Sequence, residues 1–157
     1  MARTGTIKKV AVVAVVAALF AGMLAQTAQA GTYGGKYRER WQMLKATNEA
    51  RLYRNLRRVE LHKTMSELAR KHSVKMAKAG SIFHTSNPSS YYLKGRSWSW
   101  WGENVGVTSG TVRDVHKAFM KSQSHRVNVL NSRFRRVAIG AVRVDGLLWV
   151  TVFFYQP

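Results

Sequence analysis

The chain has 157 residues, with 26 Lys and Arg against 7 Asp and Glu, a formal net charge of +19 and no cysteine. This length allows one ordinary domain and excludes two full-sized ones, and the 46% hydrophobic content excludes a wholly disordered polycation. Without cysteine there is no disulfide, thiolate metal site or cysteine nucleophile. Any chemistry must therefore come from the 5 histidines, the 7 acidic residues and the hydroxyl groups.

The first thirty residues predict a secretory signal peptide. Lys8 and Lys9 precede the uncharged apolar run Val10–Ala25, which is followed by the small-residue end Ala28-Gln29-Ala30. A basic start, a short apolar stretch and a small-residue cleavage site are typical of such peptides. An uncleaved anchor is disfavoured because the run is shorter than the roughly 20 residues of a spanning helix. We expect residues 1–30 to be removed, leaving a secreted or envelope-associated protein with no transmembrane segment.

Residues 31–40 are expected to be a flexible leader, and the domain is expected to span 41–157. A first helix is predicted from about Tyr37 to Leu56, because its apolar residues fall at mostly helical intervals with charged residues between them. A second helix is predicted over Lys63–Ala79, with Gly80 where a C-terminal cap belongs. The apolar residues of the first helix are Trp41, Leu44, Leu52 and Leu56.

The stretch from Ser81 to Gly110 is predicted to be an irregular loop, and loops of this length inside a compact domain are usually functional. It contains the tryptophan-rich segment Trp98–Trp101. Thr111, with an aspartate three residues later, has the spacing of a capping box and opens a third helix. A short helical piece over His125–Leu130 is predicted to follow.

The chain ends in a predicted hairpin. Asp145-Gly146 stands between the β-branched runs Val137–Val144 and Leu147–Tyr155, which is a strong hairpin signal. The second run is apolar on both alternating faces, so helices must cover the sheet on both sides. The predicted fold class is α+β, a three-layer α/β/α sandwich with a small, mainly antiparallel central sheet.

Three residues are candidates for chemistry at the ends of regular elements: His84, Glu103 and His125. Two imidazoles and a carboxylate suffice for a zinc site with an open position, and equally for an acid–base pair. Their sequence separations match no local ligand motif. For the remaining histidines we expect the ordinary role of a polar group satisfied at a core edge. These are His62, His72 and His116.

Motifs along the chain follow a recognisable order. They are Asn48-Glu49-Ala50-Arg51, Phe83-His84-Thr85-Ser86, Gly102-Glu103-Asn104-Val105-Gly106, the segment from Phe119 to Leu130, and the segment from Phe134 to Gly140. Together they resemble the bacterial, cysteine-free branch of the CAP superfamily, which groups cysteine-rich secretory proteins, antigen 5 and pathogenesis-related 1 and is also called the SCP-like extracellular domain. The resemblance covers about residues 41–155 and implies an α/β/α sandwich.

The resemblance also implies a central cleft with a tetrad of two histidines and two acidic residues, which binds a divalent cation in some members. By motif, His84 and His125 are the two histidines and Glu103 is the first acid. Ser122 stands where the second acid would lie. With one carboxylate fewer, the expected affinity for a cation such as zinc at His84 and His125 is lower.

Three functions stay open from the sequence. The favoured one is a non-enzymatic binding module whose cleft holds a small ligand, a lipid or a divalent cation, with the tryptophan segment as a rim. The second is an extracellular hydrolase that activates Ser122 or a metal-bound water. No G-x-S-x-G or H-E-x-x-H motif is present, so no catalytic residue is assigned.

The third function is a polycationic protein held by charge to anionic polymers or lipids of the cell envelope. The basic residues are spread along the chain rather than gathered in a tail. No recognised nucleic-acid-binding motif is present, so we expect no specific nucleic-acid partner.

Overall fold

The computed structural model describes residues 37–157, in which a four-stranded sheet lies between two layers of helices. The predicted signal peptide and most of the predicted leader fall outside these residues. Within the described part, none of the helices has the length and apolar character needed to cross a bilayer. In chain order the elements are α1 (Arg38–Leu52), β1 (Glu60–Leu61), α2 (Lys63–Ala79), α3 (Pro88–Leu93), β2 (Trp100–Thr108), α4 (Val112–Lys121), α5 (Gln123–Val129), β3 (Arg136–Val144) and β4 (Leu147–Gln156).

The strands are ordered β1-β3-β4-β2, so β1 and β2 form the two edges of the sheet. The β1–β3 pair is parallel, and the β3–β4 and β2–β4 pairs are antiparallel. The β3–β4 hairpin turns at Asp145 and Gly146, whose φ angles are 49° and 76°. Two central residues with positive φ make the turn whose twist matches the flanking strands. The predicted hairpin and mainly antiparallel sheet are confirmed.

Helices cover both faces of the sheet, and the predicted α/β/α sandwich is confirmed. On one face α1, α4 and α5 pack over a core that includes Phe119, Phe134 and Phe154. On the other face α2 and α3 pack over Phe153 and its neighbours. The two phenylalanines at 153 and 154 point to opposite faces because side chains alternate along a strand. This is the physical reason why β4 is apolar on both sides.

Helices α2 and α4 begin where the sequence predicts. The His62 side chain accepts a hydrogen bond from the backbone N–H of Met65 at 3.2 Å, and α2 ends at Gly80 with a φ of 62°. At the start of α4, the backbone N–H of Thr111 donates to Asp114 Oδ2 at 2.8 Å, completing the predicted capping box. Local capping chemistry therefore fixes these helix starts.

The prediction for the first helix was right at its start but wrong at its end and in its buried face. It begins at Arg38, inside the expected leader, and ends at Leu52 rather than Leu56. Trp41 and Leu52 are 50% and 44% exposed, whereas Arg51 is fully buried. The Arg51 guanidinium donates to four backbone carbonyls, so its burial is compensated. These carbonyls belong to Arg57, Val129, Asn131 and Phe134.

The predicted irregular loop from Ser81 to Gly110 was also wrong, since it contains α3 and the nine-residue strand β2. β2 pairs along its whole length with β4, from Trp100 opposite Gln156 to Thr108 opposite Leu148. Glycines and polar residues interrupt the apolar alternation of this strand, which hid it in the sequence. The short helix predicted from His125 begins two residues earlier, at Gln123.

Candidate functional site

Glu103 is a buried acidic residue whose carboxylate is held by several hydrogen bonds. It lies on β2, and its side chain is 1% exposed. Thr85 donates its backbone N–H to Oε1 at 2.8 Å and its hydroxyl to Oε2 at 2.6 Å. Tyr92 donates its hydroxyl to Oε2 at 3.3 Å, and His84 Nδ1 lies 3.0 Å from Oε1. These partners replace the water that a carboxylate loses on burial.

His84 is the exposed partner of this carboxylate. Its side chain is 61% exposed, although Nδ1 is in contact with the buried Glu103. When Nδ1–H donates to the carboxylate, the ring orientation is set and the neutral ring keeps Nε2 as an acceptor. The result is an oriented imidazole at the surface with one nitrogen available to a ligand or solvent.

His125 forms a second polar pair at the junction of α4 and α5. Its Nδ1 lies 2.9 Å from the Oγ of Ser122, the residue between the two helices. The His125 ring stacks on Phe119, with 5.1 Å between ring centroids. Burial lowers the pKa of His125, and the charge of the nearby His84 lowers it further. The two histidines are thus close enough to interact electrostatically, and His125 favours its neutral form.

Two asparagines, to which the sequence analysis gave no role, connect these pairs. Asn128 Nδ2 donates to Asn104 Oδ1 at 2.8 Å and to the backbone carbonyl of Glu103 at 3.3 Å. Asn104 Nδ2 donates to the backbone carbonyl of His125 at 3.0 Å. A Cβ at Gly102 would overlap the Asn128 amide. Both asparagines lie in motifs that carry the family resemblance, and this position in the motifs is the sequence signal that could have identified them.

His72 was expected to be a polar group satisfied at a core edge, but within the described part of the chain only one of its two ring nitrogens, Nδ1, has a hydrogen-bond partner. It is 3% exposed, and its Nδ1 lies 3.1 Å from Thr151 Oγ1. Its Nε2 is buried without a partner among residues 37–157, and its ring meets Phe83 edge-on. Burial lowers the pKa of His72, while the Glu103 carboxylate raises it in opposition. His72 is therefore a third imidazole within electrostatic range of the site.

The other two histidines lie outside the site. His62 caps α2, and its polar role at a core edge is as expected. His116 is buried on α4, with its Nε2 unpartnered within the described residues. Burial lowers the pKa of His116, and the charge of Glu49 offsets only part of this shift.

A zinc site with three protein ligands does not fit the described residues as they are arranged. Residues 37–157 contain no group of three His, Asp or Glu side chains able to hold a metal ion. Both oxygens of Glu103 already accept hydrogen bonds, and the Nδ1 atoms of His84 and His125 are in contact with Glu103 and Ser122. The remaining donors are two imidazole Nε2 atoms, fewer than the three protein ligands of an open zinc site.

The residues considered for an activated serine separate into two pairs. Ser122 contacts His125 at 2.9 Å, as a nucleophile and base would. Glu103 contacts His84 instead of orienting His125. Ser122 and His125 thus lack the acidic third member that the sequence analysis considered.

The tryptophan segment lies at the start of β2, beside Glu103. Trp98, Trp100 and Trp101 are 42%, 50% and 39% exposed. Trp101 lies on the same side of β2 as Glu103, with its ring 6.1 Å from that of Phe153. Trp100 points to the other side, where the guanidinium of Arg133 lies 4.1 Å from its ring centroid. The exposed Trp101 ring is therefore the aromatic group that lies on the same side of the strand as Glu103.

Helices cover both faces of the sheet, and His84, Glu103 and His125 lie close to its edge strand β2. This is the architecture of an SCP-like domain. Residues 44–155 match the model of the cysteine-rich secretory protein family, CAP, and the chain belongs to this family. The predicted family resemblance is confirmed.

Three of the similar proteins are bacterial. The chain is 30% identical over 116 residues to the uncharacterized protein YkwD of Bacillus subtilis, covering 71% of this chain and 45% of that protein. Its fold is similar to that of an outer surface protein from Borrelia burgdorferi, with a TM-score of 0.73, 19% identity, and coverage of 80% of this chain and 98% of that one. It is also similar to that of an extracellular SCP-domain protein from Bacillus anthracis, with a TM-score of 0.67 and 21% identity. This match covers 78% of this chain and 41% of that one. The chain spans less than half the length of YkwD and of the B. anthracis protein.

Proposed function

We propose that this protein is a secreted, non-enzymatic binding module whose cleft at the β2 edge holds a small ligand or lipid of the cell envelope. The cleft comprises His84, Glu103, Ser122 and His125. The observation that carries the proposal is the 61% exposed His84 ring, oriented by a carboxylate that is itself 1% exposed. A fixed polar group at an open surface recognises a ligand at little entropic cost.

The exposed tryptophans support a ligand with apolar or ring surfaces. Trp101 is exposed on the Glu103 side of β2, Trp98 is exposed just before this strand, and tryptophan provides a large contact area with few rotatable bonds. Ligand pockets commonly combine apolar walls with a few polar groups that fix orientation. A lipid or a wall fragment with one polar head has this combination of surfaces. A divalent cation bound by the two Nε2 atoms is a weaker candidate because only two protein ligands are available.

Secretion is supported by the basic, apolar and small-residue pattern of residues 1–30. It is also supported by the similarity to a B. anthracis protein described as extracellular.

An extracellular hydrolase is the alternative, because Ser122 and His125 are in hydrogen-bond contact. The arrangement of Glu103 favours binding over catalysis. Its oxygens are occupied by Thr85, Tyr92 and His84, so this carboxylate neither orients His125 nor accepts a proton from substrate without breaking those bonds.

The test is a fluorescence titration of the tryptophans in residues 31–157 with palmitate, a soluble muramyl peptide and Zn²⁺. We expect a saturable change with palmitate or the muramyl peptide, weakened about tenfold by His84→Ala or Trp101→Ala, since tenfold corresponds to one lost contact of about 1.4 kcal/mol. Trp100→Ala is the matched control, because Trp100 has similar exposure but points to the other side of β2, against Arg133.

Two results would contradict the proposal. One is the absence of any response to all three probes, and the other is a response that His84→Ala and Trp101→Ala leave intact. Hydrolysis is assayed in parallel with ester, peptide and glycan substrates. Turnover that Ser122→Ala abolishes would establish the alternative.

A further inference from the structure

Helix α1 presents a stripe of aromatic and aliphatic side chains to solvent. Tyr37, Trp41, Leu52 and Tyr53 are 59%, 50%, 44% and 84% exposed. Tyr37, Trp41 and Leu52, together with the half-buried Leu44, follow helical spacing along one side of α1, and Tyr53 follows directly after the end of the helix. These five residues are called the α1 patch. Trp41, Leu44 and Leu52 of this patch belong to the set that the sequence pattern predicted to be buried.

Two shallow grooves flank Trp41. One, of about 490 Å³, runs between Tyr37, Leu61 and Lys63. The other, of about 340 Å³, runs between Leu44, Leu52 and Arg58. Trp41 lines both, so this ring is the centre of a continuous apolar surface.

Basic side chains surround the α1 patch, and the acidic side chains near it are paired with basic ones. Within residues 37–157, Glu67 pairs with Arg40 at 3.0 Å, Glu49 with Lys45 at 3.8 Å and Glu60 with Arg136 at 3.1 Å. In the same part of the chain Arg54, Arg58 and Lys63 are exposed and form no ion pair. The surroundings of the patch are therefore electropositive.

We propose that the α1 patch docks this protein on the surface of an anionic lipid bilayer. Trp41 and the two tyrosines would sit at the level of the lipid headgroups, where amphipathic rings are favoured. Leu52 would contact the acyl boundary, and Arg54, Arg58 and Lys63 would contact lipid phosphates. The partner's chemistry is set by this combination of exposed apolar side chains and unpaired cations.

This surface is separate from the proposed ligand cleft. The α1 patch lies beside Leu61 of β1, whereas Glu103 lies on β2, the opposite edge of the four-stranded sheet. Three strand spacings, roughly 14 Å, separate the two edges. Docking through α1 thus leaves the β2 edge accessible, and the two proposals can be tested independently.

The patch suits a bilayer better than the two other occupants. A soluble polyanion would use the cations but leave Trp41 and Leu52 in water. A second copy of this chain, packed through the same patch, would bring the two basic borders together, so that cations such as Arg58 and Lys63 would face cations of the other copy, which is repulsive. An anionic bilayer satisfies both the apolar and the basic side chains.

The experiment is co-sedimentation of residues 31–157, which contain every described element, with vesicles containing 30% phosphatidylglycerol in phosphatidylcholine. We expect strong partitioning at low salt, about tenfold weaker for Trp41→Ala and about tenfold or more weaker for the double variant Arg58→Gln/Lys63→Gln. The matched controls are Trp100→Ala, with the same 50% exposure, and Lys78→Gln/Lys94→Gln, which removes two exposed charges at the C-terminal ends of α2 and α3. Each control should change partitioning less than twofold.

Three outcomes would overturn the proposal. Partitioning lowered equally by patch and control variants would mean that no particular face docks. Loss with Arg58→Gln/Lys63→Gln but not with Trp41→Ala, together with equal binding to soluble polyphosphate, would identify a polyanion site. A dimer in analytical ultracentrifugation that Trp41→Ala converts to monomer would identify a second copy as the occupant.

Discussion

Thr85 binds both carboxylate oxygens of Glu103, with its backbone N–H 2.8 Å from Oε1 and its hydroxyl 2.6 Å from Oε2. Because Thr85 follows His84 in the chain, this clamp also fixes the backbone beside the exposed imidazole. The buried acid on β2 therefore holds the segment after α2 in place.

Thr85→Val removes the hydroxyl of this clamp and keeps the shape of the side chain. We expect a loss of about 1–3 kcal/mol in the free energy of unfolding, because a buried carboxylate oxygen loses its shortest hydrogen bond. The measurement is equilibrium urea unfolding. Thr85→Ser retains the hydroxyl and should lose less than half as much; equal stability of wild type and Thr85→Val would contradict the clamp.

Arg51→Met removes a fully buried guanidinium that donates to four backbone carbonyls. We expect destabilisation of about 3 kcal/mol or more, since several buried carbonyls lose their donor at once. Urea unfolding measures the change. The matched control is Arg54→Met, because Arg54 is exposed three residues later. If both substitutions cost the same, Arg51 does not have the anchoring role described here.

The stability of the protein should fall as the pH drops below about 6.5. Burial lowers the pKa of His72. The Glu103 carboxylate and the His84 backbone oppose this shift, and the charges of Lys75 and the His84 side chain add to it. The folded state then binds fewer protons than the unfolded state, so the free energy of unfolding rises with pH in this window. Burial lowers the pKa of His116 and His125 as well.

The check is a series of urea unfolding curves from pH 7.5 to 5.5 for wild type and His72→Gln. We expect a smaller dependence on pH in the variant, by at most about 1.4 kcal/mol per pH unit, the limit for one proton. The slope is compared rather than the absolute stability, so a uniformly weaker variant remains informative. An unchanged slope would show that His72 titrates alike in both states.

Chelation should leave the fold intact. With two imidazole Nε2 atoms as the remaining donors, we expect Zn²⁺ to bind weakly, and EDTA to shift the thermal midpoint by less than about 2 °C. Calorimetric titration of Zn²⁺ into wild type and His84→Ala checks this. Tight stoichiometric binding that His84→Ala abolishes would show that the site rearranges to recruit a third ligand.

The parts of the fold that the sequence predicted well are those fixed by local chemistry. The α2 helix, its Gly80 end and the Asp145-Gly146 turn each depend on residues adjacent in the chain. The two-sided apolar character of β4 predicted the layers, because a strand buried on both faces needs helices above and below it.

The parts that were missed depend on distant contacts. Trp41 faces solvent and Arg51 faces the core because carbonyls about 80 residues later accept the guanidinium hydrogen bonds. The β2 strand became clear only through its pairing with β4. For the candidate site, the resemblance named His84, Glu103, Ser122 and His125, but not their division into two pairs.

Arg51 also constrains the order in which the chain can fold during synthesis. Three of its four acceptors, the carbonyls of Val129, Asn131 and Phe134, are synthesised about 80 residues after Arg51 itself. Until then a cation that is fully buried in the native structure stays hydrated, and α1 cannot dock. We therefore expect C-terminal truncations before Phe134 to leave an unfolded, protease-sensitive chain rather than a smaller stable one.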